Sequence, residues 1–105
     1  MPPPEDPDPD RAALLARWLD LTRRVLPGMA VAQRWPIRRD HCFMRVCLDA
    51  ALGGRWDAAV RRPAIRHLTP AQLQAAVAAA ARIAAEPGLL PGLNRQSLAW
   101  RGRLR

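Results

Sequence analysis

The sequence predicts an all-α protein: a small single-domain bundle of four to five helices behind a disordered, acidic, proline-rich tail. Three observations predict it. Leu14, Trp18, Leu21 and Val25 recur at spacings of 4, 3 and 4, the repeat of one helix face. Helix-start signals recur downstream, at Asp40 and in the run "TPAQ" from Thr69 to Gln72, where a capping box coincides with Pro at the first helical position. No stretch alternates apolar and polar residues as a half-buried strand does, and β-branched residues are few.

Taken in order, residues 1–8 form the tail, whose prolines cannot propagate a helix and whose acids repel one another. Residues 9–105 form one helical domain; 105 residues leave no room for a second core. Asp8 and Pro9 read as a cap and first helical position, and Pro27-Gly28 as the stop. Leu15, Leu19 and Leu26 widen the apolar stripe of that first helix. Pro36 keeps "MAVAQRWPIRR" irregular. Asp40 then caps "HCFMRVCLDAAL", with Phe43, Val46, Cys47 and Ala50 inward, Met44, Leu48 and Ala51 flanking, and Gly53-Gly54 as the stop. One or two short turns fit around Asp57 to Arg61, broken by Pro63. A helix from Ala71 to Ala85 buries Leu73, Val77, Ala80 and Ala84 with Ile83 alongside, and stops at Pro87-Gly88. A last short helix, "NRQSLAWR", is capped by Asn94 and ended by Gly102, with Leu93, Trp100 and Leu104 inward.

Charge narrows the partners. The net charge is +8, and four of the nine acids lie in the first ten residues. Residues 11–105 therefore hold 17 arginines against five acids, a balance of +12. Such a body attracts phosphates, acidic protein faces or anionic lipid. Every basic side chain is Arg, beside abundant Ala, Pro and Gly, which is the signature of GC-rich coding. The field is real, but the choice of Arg over Lys is no argument for bidentate phosphate contacts. No apolar run is long enough to span a bilayer, and "MPPPEDPDPD" is the opposite of a signal peptide. A cytoplasmic protein with free thiols, and no membrane partner, is expected.

No constellation of catalytic residues stands out. Cys42 and Cys47, five apart on a helix, point about 140° away from each other, so neither a shared metal nor a disulfide is expected. Cys42 is the one candidate for thiol chemistry, since it falls in the first turn of its helix beside Arg38 and Arg39; His41, next to it, points about 100° away. Both cysteines read more simply as small core residues. Asp49, four residues after Arg45, reads as a surface ion pair. No glycine-rich phosphate loop is present, and no cofactor is expected.

Basic clusters remain: Arg34, Arg38, Arg39 and Arg45; Arg55, Arg61, Arg62 and Arg66; Arg95, Arg101, Arg103 and Arg105. In the last helix Arg95, Gln96, Ala99 and Arg103 fall outward, a face suited to phosphates or base edges. "EPGLLPGL" is longer than the turn of a helix-turn-helix motif. The run "DHCFMRVCLDAALGGRW" with "NRQSLAWRG" resembles small uncharacterised bacterial proteins, some of them labelled as relatives of GCN5-type acetyltransferases. The resemblance covers about residues 34–102 and carries over no functional residue. Such an acetyltransferase needs a mixed sheet and a glycine-rich loop over the coenzyme A pyrophosphate, and the sequence shows neither.

The expected function is thus non-catalytic nucleic-acid binding through Arg38, Arg39, Arg61, Arg62, Arg95 and Arg101, with Trp35 as a stacking surface. The alternative is a regulator or adaptor, homodimeric or bound to an acidic protein, that uses the Ala-rich helix or exposed Trp. A tail folding back on the basic body is compatible with either.

Overall fold

The computed structural model describes residues 9–103. The acidic tail, Asp8 as a helix cap and Leu104 as an inward residue lie outside the described residues. Helix α1, Pro9–Asp20, begins a helical run that ends at Met29, one residue beyond the stop the sequence predicts at Pro27-Gly28. It passes through a π-helical turn, Leu21–Val25, into α2, Leu26–Met29. In that turn the Leu26 N–H donates to the Leu21 carbonyl, five residues back. Proline has no N–H, and its ring crowds the carbonyl four residues behind it in an α-turn; the wider turn accommodates Pro27 without ending the helix. The Thr22 hydroxyl, buried here, donates to the Trp18 carbonyl (2.8 Å). The extra residue also shifts the inward stripe: Leu26 and Ala30 are fully buried, while Val25 is only half-buried.

Helix α3, Asp40–Leu52, ends at Gly53, whose left-handed φ of 72° suits glycine. Its cap position is Arg39; Asp40 is the first helical residue, and its carboxylate accepts the His41 N–H (2.8 Å). Phe43, Val46 and Cys47 are buried as expected, whereas Ala50 is half-buried. Two single-turn helices follow, α4 (Trp56–Ala59) and α5 (Ala64–His67). Helix α6, Pro70–Ala85, opens on the expected capping box: the Gln72 N–H donates to the Thr69 hydroxyl (3.1 Å), and the Thr69 N–H to the Gln72 side chain (2.9 Å).

The last helix starts earlier than its sequence signal. A 3₁₀ turn, Pro87–Leu89, runs into α7, Leu90–Trp100. Asn94 is therefore mid-helix and buried rather than a cap, and Leu93 and Trp100 are only half-buried.

Helix α6 packs between α1 and α3, and α7 lies on α3. Their shared core holds Trp18, Leu21, Leu26, Phe43, Val46, Leu73, Ala76, Ala80, Ile83 and Leu90. Two long side chains fasten the connections. The Arg11 guanidinium donates to the carbonyls of Leu68 (2.9 Å) and Ile65 (2.8 Å), where α5 meets α6. The Trp35 indole donates to the Pro87 carbonyl (3.0 Å) and packs edge-on against Phe43, centroids 5.6 Å apart. Among the described residues there is no strand, so the sheet of an acetyltransferase is not found there. Nor is any helix there long and apolar enough to cross a membrane.

Thr69→Ala removes one half of the capping box and is expected to cost about 1 kcal/mol, read as a lower urea midpoint at unchanged slope.

Candidate functional site: an arginine-rimmed groove beside a buried aspartate

Helix α3 turns a polar face toward α7. Asp49 is 0 % exposed. An unpaired carboxylate there would cost several kcal/mol. It instead accepts four hydrogen bonds. Arg101 donates two of them in a fork, Nη2 to Oδ1 at 2.8 Å and Nε to Oδ2 at 2.9 Å. The Trp56 backbone N–H donates at 2.9 Å, and the Ser97 hydroxyl at 2.6 Å. Its own backbone carbonyl takes the Gly53 and Gly54 N–H groups at the helix end.

Arg45 completes the network from one turn earlier. It donates to Ser97 Oγ (2.6 Å) and to Asn94 Oδ1 (2.8 Å), so it reaches Asp49 only through the Ser97 hydroxyl. The expected surface pair of Arg45 with Asp49 is overturned: both side chains turn to α7 because Asn94 and Ser97 there offer buried partners. Among the described residues no carboxylate pairs directly with Arg45. Burial chiefly lowers its guanidinium from the ordinary value; the charges of Arg101 and Arg103 add to the shift and the Asp49 carboxylate opposes it. The Arg101 guanidinium moves the other way, raised by its hydrogen bonds to Asp49.

Beside this network a groove of about 790 Å³ opens. α1 supplies Trp18, and α3 supplies His41, Cys42, Met44, Arg45 and Leu48. The opposite wall is Trp56 from α4, then Arg62, Pro63, Ala64 and Ile65 entering α5, while Arg101 and Arg103 close the end beyond α7. The floor is apolar and the rim basic. No acid lines it. Asp57 stands behind the lining, where it binds Arg62 (3.0 Å), Arg55 (3.2 Å) and, farther off, Arg101 (3.7 Å). Arg62 also lies over the Trp56 ring, 4.9 Å from its centroid.

The residues singled out in the sequence separate into three groups. Arg62 and Arg101 line the groove, the latter 10 % exposed and held by Asp49. Arg38, Arg39, Arg61 and Arg95 are exposed; the first two directly precede Asp40 at the start of α3, and Arg95 lies on the outward side of α7. Trp35 is 4 % exposed, between Phe43 and Pro87, so its ring offers no stacking surface to a base. Cys42 is half-buried in the groove wall; Cys47 is fully buried, and burial pushes its thiol up to about 12. Among the described residues no group of three or more metal-ligating side chains forms.

Sequence reasoning missed Asp49, Asn94, Ser97 and Arg45. A signal was present: Leu90, Asn94, Ser97 and Arg101 repeat the spacing 4, 3, 4 of the first helix, with polar residues where apolar ones are expected. Comparison with protein-family models, curated proteins and solved structures finds no match for the chain.

Asp49→Ala leaves Arg101 without its partner and is expected to cost about 3–5 kcal/mol; Asp49→Ala with Arg101→Leu should recover part of that loss in urea unfolding. The Asp57 carboxyl is held down at about 2, chiefly by its hydrogen bond from Arg55 and next by that from Arg62, against an ordinary 3.8. A folded value below the unfolded one stabilises above the unfolded value, and the stabilisation is lost as acid protonates the group. The melting temperature should therefore fall between about pH 4 and pH 2, and more steeply than in Asp57→Asn.

Proposed function

We propose that this is a non-catalytic nucleic-acid-binding protein, with the groove rim and the exposed arginines beside it as its contact surface. The observation that carries the reading is convergence. One or more members of each of the three arginine clusters, Arg45, Arg62, Arg101 and Arg103, line a single groove that no acid lines. Arg38 and Arg39 extend the positive surface past α3, and Arg61 extends it beside Arg62. Phosphates attracted there release counterions, which supplies affinity without sequence preference. Arg101 makes no phosphate contact and adds little net charge, since its fork is closed on Asp49.

The adaptor reading asks for a contiguous exposed apolar patch. Among the described residues Val31, 68 % exposed, is the large apolar side chain that stands out in solvent. The open strip of α6 is Ala71, Gln74, Ala78, Arg82 and Ala85, which is too small and polar to drive association. The nucleic-acid reading fits the surface better.

Fluorescence anisotropy with short duplex DNA, single-stranded DNA and RNA tests it. Between about 50 and 200 mM salt the affinity should fall by roughly 10²-fold, as for about four phosphate contacts. Charge reversal at Arg38 and Arg39 should weaken binding at least about tenfold, whereas Arg95→Glu should change it little. Absence of binding at the lower salt overturns the proposal.

A further inference from the structure

We infer that the groove is a binding site for a small molecule with an apolar body and a single carboxylate, sulfonate or phosphate, the anion being received by Arg45. The inference does not depend on nucleic-acid binding and concerns the floor of the groove rather than its surroundings.

Three observations support it. The first is size: about 790 Å³ lies within the range that encloses a drug-sized molecule. The second is the apolar lining. Half-buried Met44, Trp56 and Ile65 present apolar surface over buried Trp18 and Leu48, which has no use in contacting a phosphodiester backbone but would cover an aromatic or branched aliphatic body. The third is Arg45. A guanidinium has five N–H donors, and only two bonds are made here, both to the neutral groups Asn94 and Ser97. Its charge is partly buried, has no direct carboxylate partner among the described residues, and faces Arg101 and Arg103 across the same groove.

Each of these features favours an anion. A negative group would take the remaining donors of Arg45 and offset its charge beside Arg103. Because α7 already fixes the guanidinium, little side-chain freedom is left to lose on binding. A cation would meet the guanidinium groups of Arg45 and Arg103, and a neutral molecule without an acceptor would leave the donors as they are.

The test uses the full chain and two fluorescent probes, 8-anilinonaphthalene-1-sulfonate and its uncharged analogue N-phenyl-1-naphthylamine. The sulfonate should bind one per chain and at least about tenfold more tightly than the analogue, the worth of one charge-assisted hydrogen bond. Arg45→Met should remove that preference, bringing the sulfonate's affinity down to that of the analogue. Saturating sulfonate should also slow alkylation of Cys42 by iodoacetamide; buried Cys47 stays silent. Should Arg45→Met fail to fold, Ile65→Glu places a carboxylate on the opposite wall, away from the Asp49 network, and should abolish sulfonate binding with the circular dichroism unchanged.

Equal affinity for the two probes overturns the inference. So does sulfonate binding that survives both substitutions, or alkylation of Cys42 at the same rate under saturation. Charge reversal at Arg38 and Arg39 separates the two readings, since it should weaken nucleic acid and leave the sulfonate titration as it was.

Discussion

A carboxylate with no exposure to water sets the terms for the C-terminal half of this fold. Asp49 can sit inside only because four donors close on it, and those donors come from different parts of the chain: a backbone N–H at the start of α4, a hydroxyl in α7 and a guanidinium just beyond α7. One charge therefore fixes where three segments stand relative to α3. Buried ion pairs add little net stability over well-packed apolar residues, but they tolerate few alternative arrangements. Here the result is placement. The groove wall at Trp56 and the groove end at Arg101 both hang from Asp49.

Helix α3 joins the two kinds of packing in the molecule. One face delivers Phe43, Val46 and Cys47 to the apolar core, a second delivers Asp49 to the polar network, and a third carries His41, Cys42, Arg45 and Leu48 along the groove. A helix committed on so many sides has little freedom to move, and the groove wall inherits the rigidity of the core.

The apolar part of this arrangement was legible in the sequence. The helical repeat around Trp18, the capping box at Thr69 and the glycine after Leu52 each name their element through local chemistry, and each is found. The π-turn was not legible: the repeat from Leu14 to Val25 reads as regular α-helix, and nothing in it marks the wider turn that precedes Pro27. Asp49 escaped for a related reason. Its spacing to Arg45 permits a surface pair, and nothing nearby in the chain reveals that its partners lie 48 and 52 residues onward. Of the basic residues, the sequence located the clusters; the fold decided that Arg101 is internal and that Trp35 is covered.

The π-turn can also be seen as a matter of length. It stores one residue more than an α-turn does, rotating everything after it by about 100°. One unbroken rod thereby keeps apolar side chains on the core across the turn: Trp18 is buried before it, and Leu26 with Ala30 after it. The first helix thus does the work of two elements without a loop between them, and in a chain this short that removes a hinge from beneath the groove floor.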